Sequence, residues 1–179
     1  MKRLYLDTNI LLALYAPMDK GHKNSAKIVG AVEAGQVNAL TSTLTLIEIA
    51  SAVKRASRKF ARATSSDQEM IPGSFVRKTL RLKNLEYVGL GSEISLHTES
   101  DVRIPAVYAV ALKAVRTLPL RTLDLLHVAS AYAAVRLLGK QLDYFTTLDE
   151  EILDAGREIK TLLGCPSVTP DEIIKLEGL

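Results

Sequence analysis

Apolar and polar positions along the chain alternate between short buried runs and longer stretches of helical spacing. Leu4-Tyr5-Leu6 is an apolar run that stops at Asp7-Thr8-Asn9, and Ile10 to Tyr15 is apolar again. That break predicts a buried strand giving way to a helix, with the Asn9 side chain as its cap. Asn24 to Ala34 is a second helix that ends before Gly35. Ala39 to Ser42 reads as a second strand, and Thr43 opens a long helix to about Ala63 with Leu46, Ile49, Ala50 and Val53 on one face. Thr64 to Gly73 is polar, contains Pro72 and reads as a loop, after which Phe75 to Leu82 returns to helical spacing. Tyr87 to Leu90 and Ile94 to Leu96 are both suited to the main sheet. Asp101 to Val115 reads as a helix with Pro105 in its first turn. Thr122 caps an apolar helix from Leu123 to Leu138, whose Ala129, Ser130, Ala131, Ala133 and Ala134 allow close packing on a sheet. Leu142 to Thr146 is the next strand, a helix runs from Asp149 to about Leu163, Ser167 to Thr169 is a last strand, and Pro170 opens a terminal helix.

Strand and helix alternate throughout, which argues an α/β fold: a mostly parallel sheet with helices on both faces. The 179 residues suffice for one domain with a proper core, and the 47% apolar and 24% charged fractions are those of a globular chain. A net charge of +3 suits a polyanionic partner without establishing one. The single cysteine, Cys165, forms no internal disulfide and no Cys/His group has zinc spacing, so a reducing cytoplasm is the expected compartment. Met1-Lys2-Arg3 before an apolar stretch imitates a signal peptide, but Asp7 and Asn9 interrupt that stretch, and no apolar run approaches the ~18 residues that span a bilayer. No glycine-rich loop follows the first strand, which argues against a dinucleotide or P-loop nucleotide site.

Against that framework four acids share one kind of position. Asp7 follows the first strand, Glu48 lies in the first turns after the second, Asp124 opens the apolar helix, and Asp149 lies just beyond a later strand. Open α/β sheets bind ligands beyond the carboxyl ends of their strands. Carboxylates gathered there repel one another unless a cation neutralises them, and oxygen-only ligation selects a hard divalent ion, Mg²⁺ or Mn²⁺.

Leu6-Asp7-Thr8-Asn9, Ser42-x5-Glu48, Leu123-Asp124-Leu125-Leu126-His127-Val128-Ala129 and Phe145-Thr146-Thr147-x-Asp149 follow in an order that resembles the PIN domain, the nuclease fold of VapC-type toxins. The resemblance spans nearly the whole chain, 1–179 as a single domain, with extra residues falling near 64–93. It implies a three-layer α/β/α fold with a central, mostly parallel sheet and a metal-dependent endoribonuclease leaving 5′-phosphate and 3′-hydroxyl ends. Asp7, Glu48, Asp124 and Asp149 match its acidic positions, as catalytic groups and ligands of Mg²⁺ or Mn²⁺, with Asn9 and Thr147 in support. A homodimer, an RNA substrate and a small antitoxin partner are further implications of the resemblance.

Other residues weigh on this reading. Asp143 lies at the far end of its strand, well over 10 Å from the crevice at ~3.3 Å per residue, and reads as a cap or turn residue. Glu150 and Glu151 suit the first turn of a helix. His127 follows Asp124 by one helical turn and reads as a buried support for that acid rather than a general base. The run from Lys54 to Lys83 holds nine Lys or Arg and two acids, and Arg55, Arg58, Lys59 and Arg62 are its candidates for RNA backbone contacts, against the plainer reading of a solvated helix face. Two other classes fit part of the pattern: an aspartate-based, Mg²⁺-dependent phosphotransferase or receiver-like domain, and a non-catalytic RNA-binding module of the same fold.

Overall fold

The structure is a computed structural model that describes residues 1–59, 65–89, 95–97 and 103–179. Its centre is a five-stranded parallel sheet. In chain order the elements are β1 (Arg3–Leu6), α1 (Thr8–Leu14), α2 (His22–Glu33), β2 (Asn38–Ser42), α3 (Leu44–Lys59), α4 (Ser65–Leu80), β3 (Leu85–Val88), β4 (Ser95–His97) and β5 (Arg103–Pro105). They continue with α5 (Ala106–Ala114), α6 (Thr122–Arg136), β6 (Tyr144–Thr146), α7 (Glu150–Asp154), α8 (Gly156–Leu163), β7 (Ser167–Val168) and α9 (Pro170–Glu177). The sheet order is β3-β2-β1-β6-β7, all parallel, while β4 and β5 form a separate antiparallel pair.

Strand periodicity of two distributes the core to both faces. Tyr5, Leu40 and Phe145 point to one side, where they meet Val128 and Ala131 of α6, Ile152 of α7 and Ile159 of α8. Leu4, Leu6 and Ala39 point to the other, against Ile10, Ile28, Val32 and Ile173. The result is the three-layer α/β/α arrangement, with both faces of a parallel sheet covered. Tyr5 and Phe145 are register partners on β1 and β6, and their rings stack at 4.8 Å. Helix α6 is apolar nearly all round because it packs on the sheet with one side and on α5 with another, through Val107, Val110, Leu126 and Ala133.

Several local expectations are corrected. Asp7, not Asn9, caps α1: its side chain accepts the Thr8 N–H, and the helix begins one residue before Asn9. The segment expected as a loop before Gly73 is part of α4, which continues through Pro72 and lies against α3; tertiary packing outweighs the lost proline donor. The helix expected from Asp101 begins at Ala106, because Arg103–Pro105 pairs with Ser95–His97 and Pro105 keeps extended backbone at the helix cap. The helix after Asp149 is two, α7 and α8, meeting at Ala155. Of the two strand candidates between 85 and 97, the first supplies β3 of the main sheet and the second supplies β4 outside it. At the C-terminus Thr169 and Glu172 form a reciprocal capping box with Pro170 at the first helical position. Among the described residues no helix is long and apolar enough to cross a membrane.

Candidate metal centre

Chain order makes β1 the central strand: the chain builds outward through β2 and β3 on one side, then crosses to β6 and β7 on the other. The crevice at such a switch lies beyond the carboxyl ends of the strands, here between β1 and β6. Asp7 leaves β1 there, with its N–H still bonded to Thr146 O at 3.0 Å, and is 4% exposed. Its Oδ1 accepts the Thr8 N–H at 2.7 Å, and its Oδ2 accepts Asn9 Nδ2 at 2.6 Å and the Thr147 hydroxyl at 2.7 Å. Burial raises the Asp7 pKa, opposed by His127 and by the Thr147 and Thr8 hydrogen bonds.

Asn9 and Thr147 stand where a supporting role needs them. Asn9 Nδ2 also donates to Thr147 Oγ1 at 2.9 Å, and Asn9 Oδ1 accepts the Leu148 N–H at 3.0 Å. Thr147 Oγ1 accepts the Asp149 N–H at 3.0 Å. The first turn of α1 is thereby stapled to the turn after β6, which carries Asp149. Asp149 itself caps α7, accepting the Glu151 and Ile152 N–H groups through Oδ1.

Glu48 is aimed at the same place from α3. Its Oε2 accepts the Thr8 hydroxyl and lies 2.6 Å from His127 Nε2. Burial pushes its pKa up, but the His127 and Thr8 bonds prevail and leave it below the ordinary value. Asp124, in the first turn of α6, has the opposite environment: burial, then Asp149, then Asp7 push its carboxyl up to about 6. Asp124 therefore senses all three of the other acids, Asp149 and Asp7 most and Glu48 least, which is the repulsion expected of carboxylates gathered without a counter-charge.

Asp7, Glu48, Asp124 and Asp149 all line one cavity of about 300 Å³, with Ser51 and Arg55 at its rim. The donor set is carboxylate oxygen throughout, which fits a hard divalent ion. Among the described residues no three His, Cys, Asp or Glu side chains are already drawn into a ligand cage, so the acids border the space rather than close around it.

Arg55 Nη1 donates to Ser51 Oγ at 2.7 Å, and its charge helps lower the Glu48 pKa. The side chains of Arg58 and Lys59, and all of Arg62, lie outside the described residues. Asp143 is at the opposite strand end, accepting the Arg3 N–H at 2.9 Å and pairing with Lys2. Glu151 pairs with Arg121. His127 is buried as expected, but its hydrogen-bond partners are Glu48, Thr8 and Tyr5. Thr8, Thr45 and Thr41, a chain of hydroxyls running from Glu48 to Leu6 O, were not singled out by sequence. Thr8 had a signal in its place between Asp7 and Asn9; Thr41 and Thr45 had none.

A parallel α/β domain with an acid-lined crevice at its topological switch is the class that fold and site define. The chain belongs to the PIN domain family, whose family model matches residues 4–158. A toxin-antitoxin complex from Klebsiella pneumoniae is similar in structure, at 19% identity over 94% of this chain and 98% of that one, TM-score 0.50. VapBC2 from Rickettsia felis, solved bound to a DNA fragment from its promoter, is similar at 13% identity with the same coverage, TM-score 0.52. At such identities both show the fold. Among curated proteins, none matches the sequence.

Proposed function

We propose that this single domain is a divalent-metal-dependent endoribonuclease and the toxin of a toxin-antitoxin pair. The observation that carries the reading is that four carboxylates, three of them following strands β1, β2 and β6 and the fourth in the first turn of α6 after α5, border one cavity. Asp7 would be the central ligand, Glu48 and Asp124 would share a first ion or its waters, and Asp149 would serve a weaker second position. A bound Mg²⁺ or Mn²⁺ supplies Lewis-acid polarisation of the scissile phosphate and activation of the attacking water. The chain's own part is positional: Asn9 and Thr147 orient Asp7, and Arg55, tethered by Ser51 at the rim, grips an RNA phosphate.

Burial of Asp7, whose Oδ2 takes two hydrogen bonds and whose Oδ1 keeps one lone pair for a cation, disfavours the phosphotransferase reading, which needs an exposed aspartate nucleophile. The test is incubation of purified protein with mixed cellular RNA, with and without Mn²⁺ or EDTA, and mapping of the ends. Metal-dependent 5′-phosphate and 3′-hydroxyl ends, lost in folded Asp7→Asn, are expected; metal-independent cleavage or none sinks the reading.

The toxin assignment draws on the two similar structures, which are toxin-antitoxin complexes. An apolar groove of about 1050 Å³, bordered by Leu12, Val53, Phe75 and Leu148, shares Asn9, Leu12 and Ala52 with the acidic cavity and suits an antitoxin segment lying across both. Growth arrest on expression, relieved by the product of an adjacent small reading frame, is the expected result. A homodimer through the exposed face of α5 completes the partner set.

A further inference from the structure

We propose that His127 is a positioning residue that fixes the Glu48 carboxylate for the cation, in a buried assembly with Tyr5 and Thr8; the inference rests on the nuclease reading. Glu48 reaches the crevice from α3 on a side chain with more torsional freedom than the Asp at the other three positions. Something must hold it. His127 Nε2 lies 2.6 Å from Glu48 Oε2, and Thr8 Oγ1 donates to the same oxygen. Both bonds fall on Oε2, so Oε1 is the oxygen left to face the crevice.

The second ring nitrogen explains why His127 itself does not turn. Nδ1 lies 2.9 Å from the Tyr5 hydroxyl, and Tyr5 is locked on the central strand by its stack on Phe145. Nε2–H donates to Glu48 Oε2, since a carboxylate only accepts, and the Tyr5 hydroxyl holds Nδ1 at the other end of the ring. With 1% exposure and both nitrogens committed, His127 has no path to a substrate water, which removes the general-base alternative. Nor does it support Asp124 by hydrogen bonding, despite standing one turn along the same helix. The assembly joins β1, α1, α3 and α6, so the position of Glu48 is set by elements of all three layers rather than by α3 alone.

The test is Mn²⁺ titration by calorimetry on wild type, His127→Ala, His127→Gln and Tyr5→Phe, with RNA cleavage measured across Mn²⁺ concentration. His127→Ala is expected to bind Mn²⁺ about 10 to 100 times more weakly. His127→Gln, which restores an N–H donor, is expected to recover most of that loss, and Tyr5→Phe, which keeps the stack, to weaken binding severalfold. Cleavage by His127→Ala is expected to need correspondingly more Mn²⁺, with kcat at saturating metal near wild type. A merely structural histidine would lower the melting temperature and leave Mn²⁺ affinity unchanged. Wild-type affinity in folded His127→Ala overturns the proposal, and where that variant does not fold, wild-type affinity in Tyr5→Phe does so. A wild type that takes up no Mn²⁺ overturns the nuclease reading along with it.

Discussion

The four acids are chemically alike and physically different, and the difference has measurable consequences. Glu48 is held ionised by His127 and Thr8, whereas Asp124 is pushed up to about 6 by burial, Asp149 and Asp7. A carboxyl whose folded pKa exceeds its unfolded value binds protons more tightly when folded. Its effect is to lower stability as pH rises from the unfolded pKa, near 4, through the folded one. Metal-free protein is therefore expected to lose about 2 kcal/mol between pH 4 and 7 through Asp124, a figure reduced for its partial exposure. Urea midpoints across that range measure it, and Asp124→Asn should flatten the slope; an unchanged slope refutes the assignment. Divalent ions should raise the midpoint more at pH 7 than at pH 5. Arg55 makes a separate prediction: Arg55→Gln should weaken RNA binding modestly, with little change in cleavage pattern, and make log K against log salt shallower by about 1. Binding isotherms at several salt concentrations check it, and an unaltered slope means Arg55 meets no phosphate.

Individual elements carry the acids to one place, and Asn9 shows how. Its amide bonds Asp7, Thr147 and the Leu148 N–H, so one side chain in α1 holds the β6–α7 turn against β1. Asn9→Ala leaves the Leu148 N–H and one Asp7 acceptor without that partner and is expected to cost about 2–3 kcal/mol. Activity should fall further than stability, because Asp149 is displaced with the turn; thermal melts and kcat/KM read the two separately, and proportional losses would remove the staple from the mechanism. Asn9 was legible as a boundary residue, but the cap proved to be Asp7, because two adjacent polar side chains at a strand-to-helix break offer the same local chemistry. β1, β2, β6 and α6 were legible because both-face burial writes continuous apolar runs in Leu4-Tyr5-Leu6 and around Phe145. The first half of α4, up to Gly73, was not: Pro72 and polar neighbours signal a loop, and the packing on α3 that overrides them is nonlocal. The Glu48 to His127 bond was hidden for the same reason, since 79 residues separate the partners and only the sheet order brings them together.

At the scale of the whole molecule, charge and apolar surface are distributed differently. The net charge of +3 leaves the protein weakly basic while its cavity is acidic, so a polyanion approaches the rim and not the centre until a cation is present. The apolar surface has its own logic. Tyr108 and Leu112 on α5 and Val115 at its C-terminal cap recur at helical spacing and are 42%, 63% and 55% exposed, beside an apolar cavity of about 520 Å³ that also borders Leu125 and Leu126. A row of large apolar side chains beside an apolar hollow is costly to leave in water, and a second copy presenting the same row would cover it isologously. A stable dimer buries roughly 1,600 Å², which needs the row, the hollow and their polar margin together. A charge at the centre should therefore dissociate it: Leu112→Arg is expected to convert a dimer to a monomer in light scattering while circular dichroism and thermal stability persist, because Leu112 contributes little to the core of its own subunit. The acids and their supports all come from one chain, so the monomer should retain Mn²⁺ affinity and lose only what a second copy adds to RNA binding. A Leu112→Arg protein with the mass of the wild type would refute a subunit contact through α5.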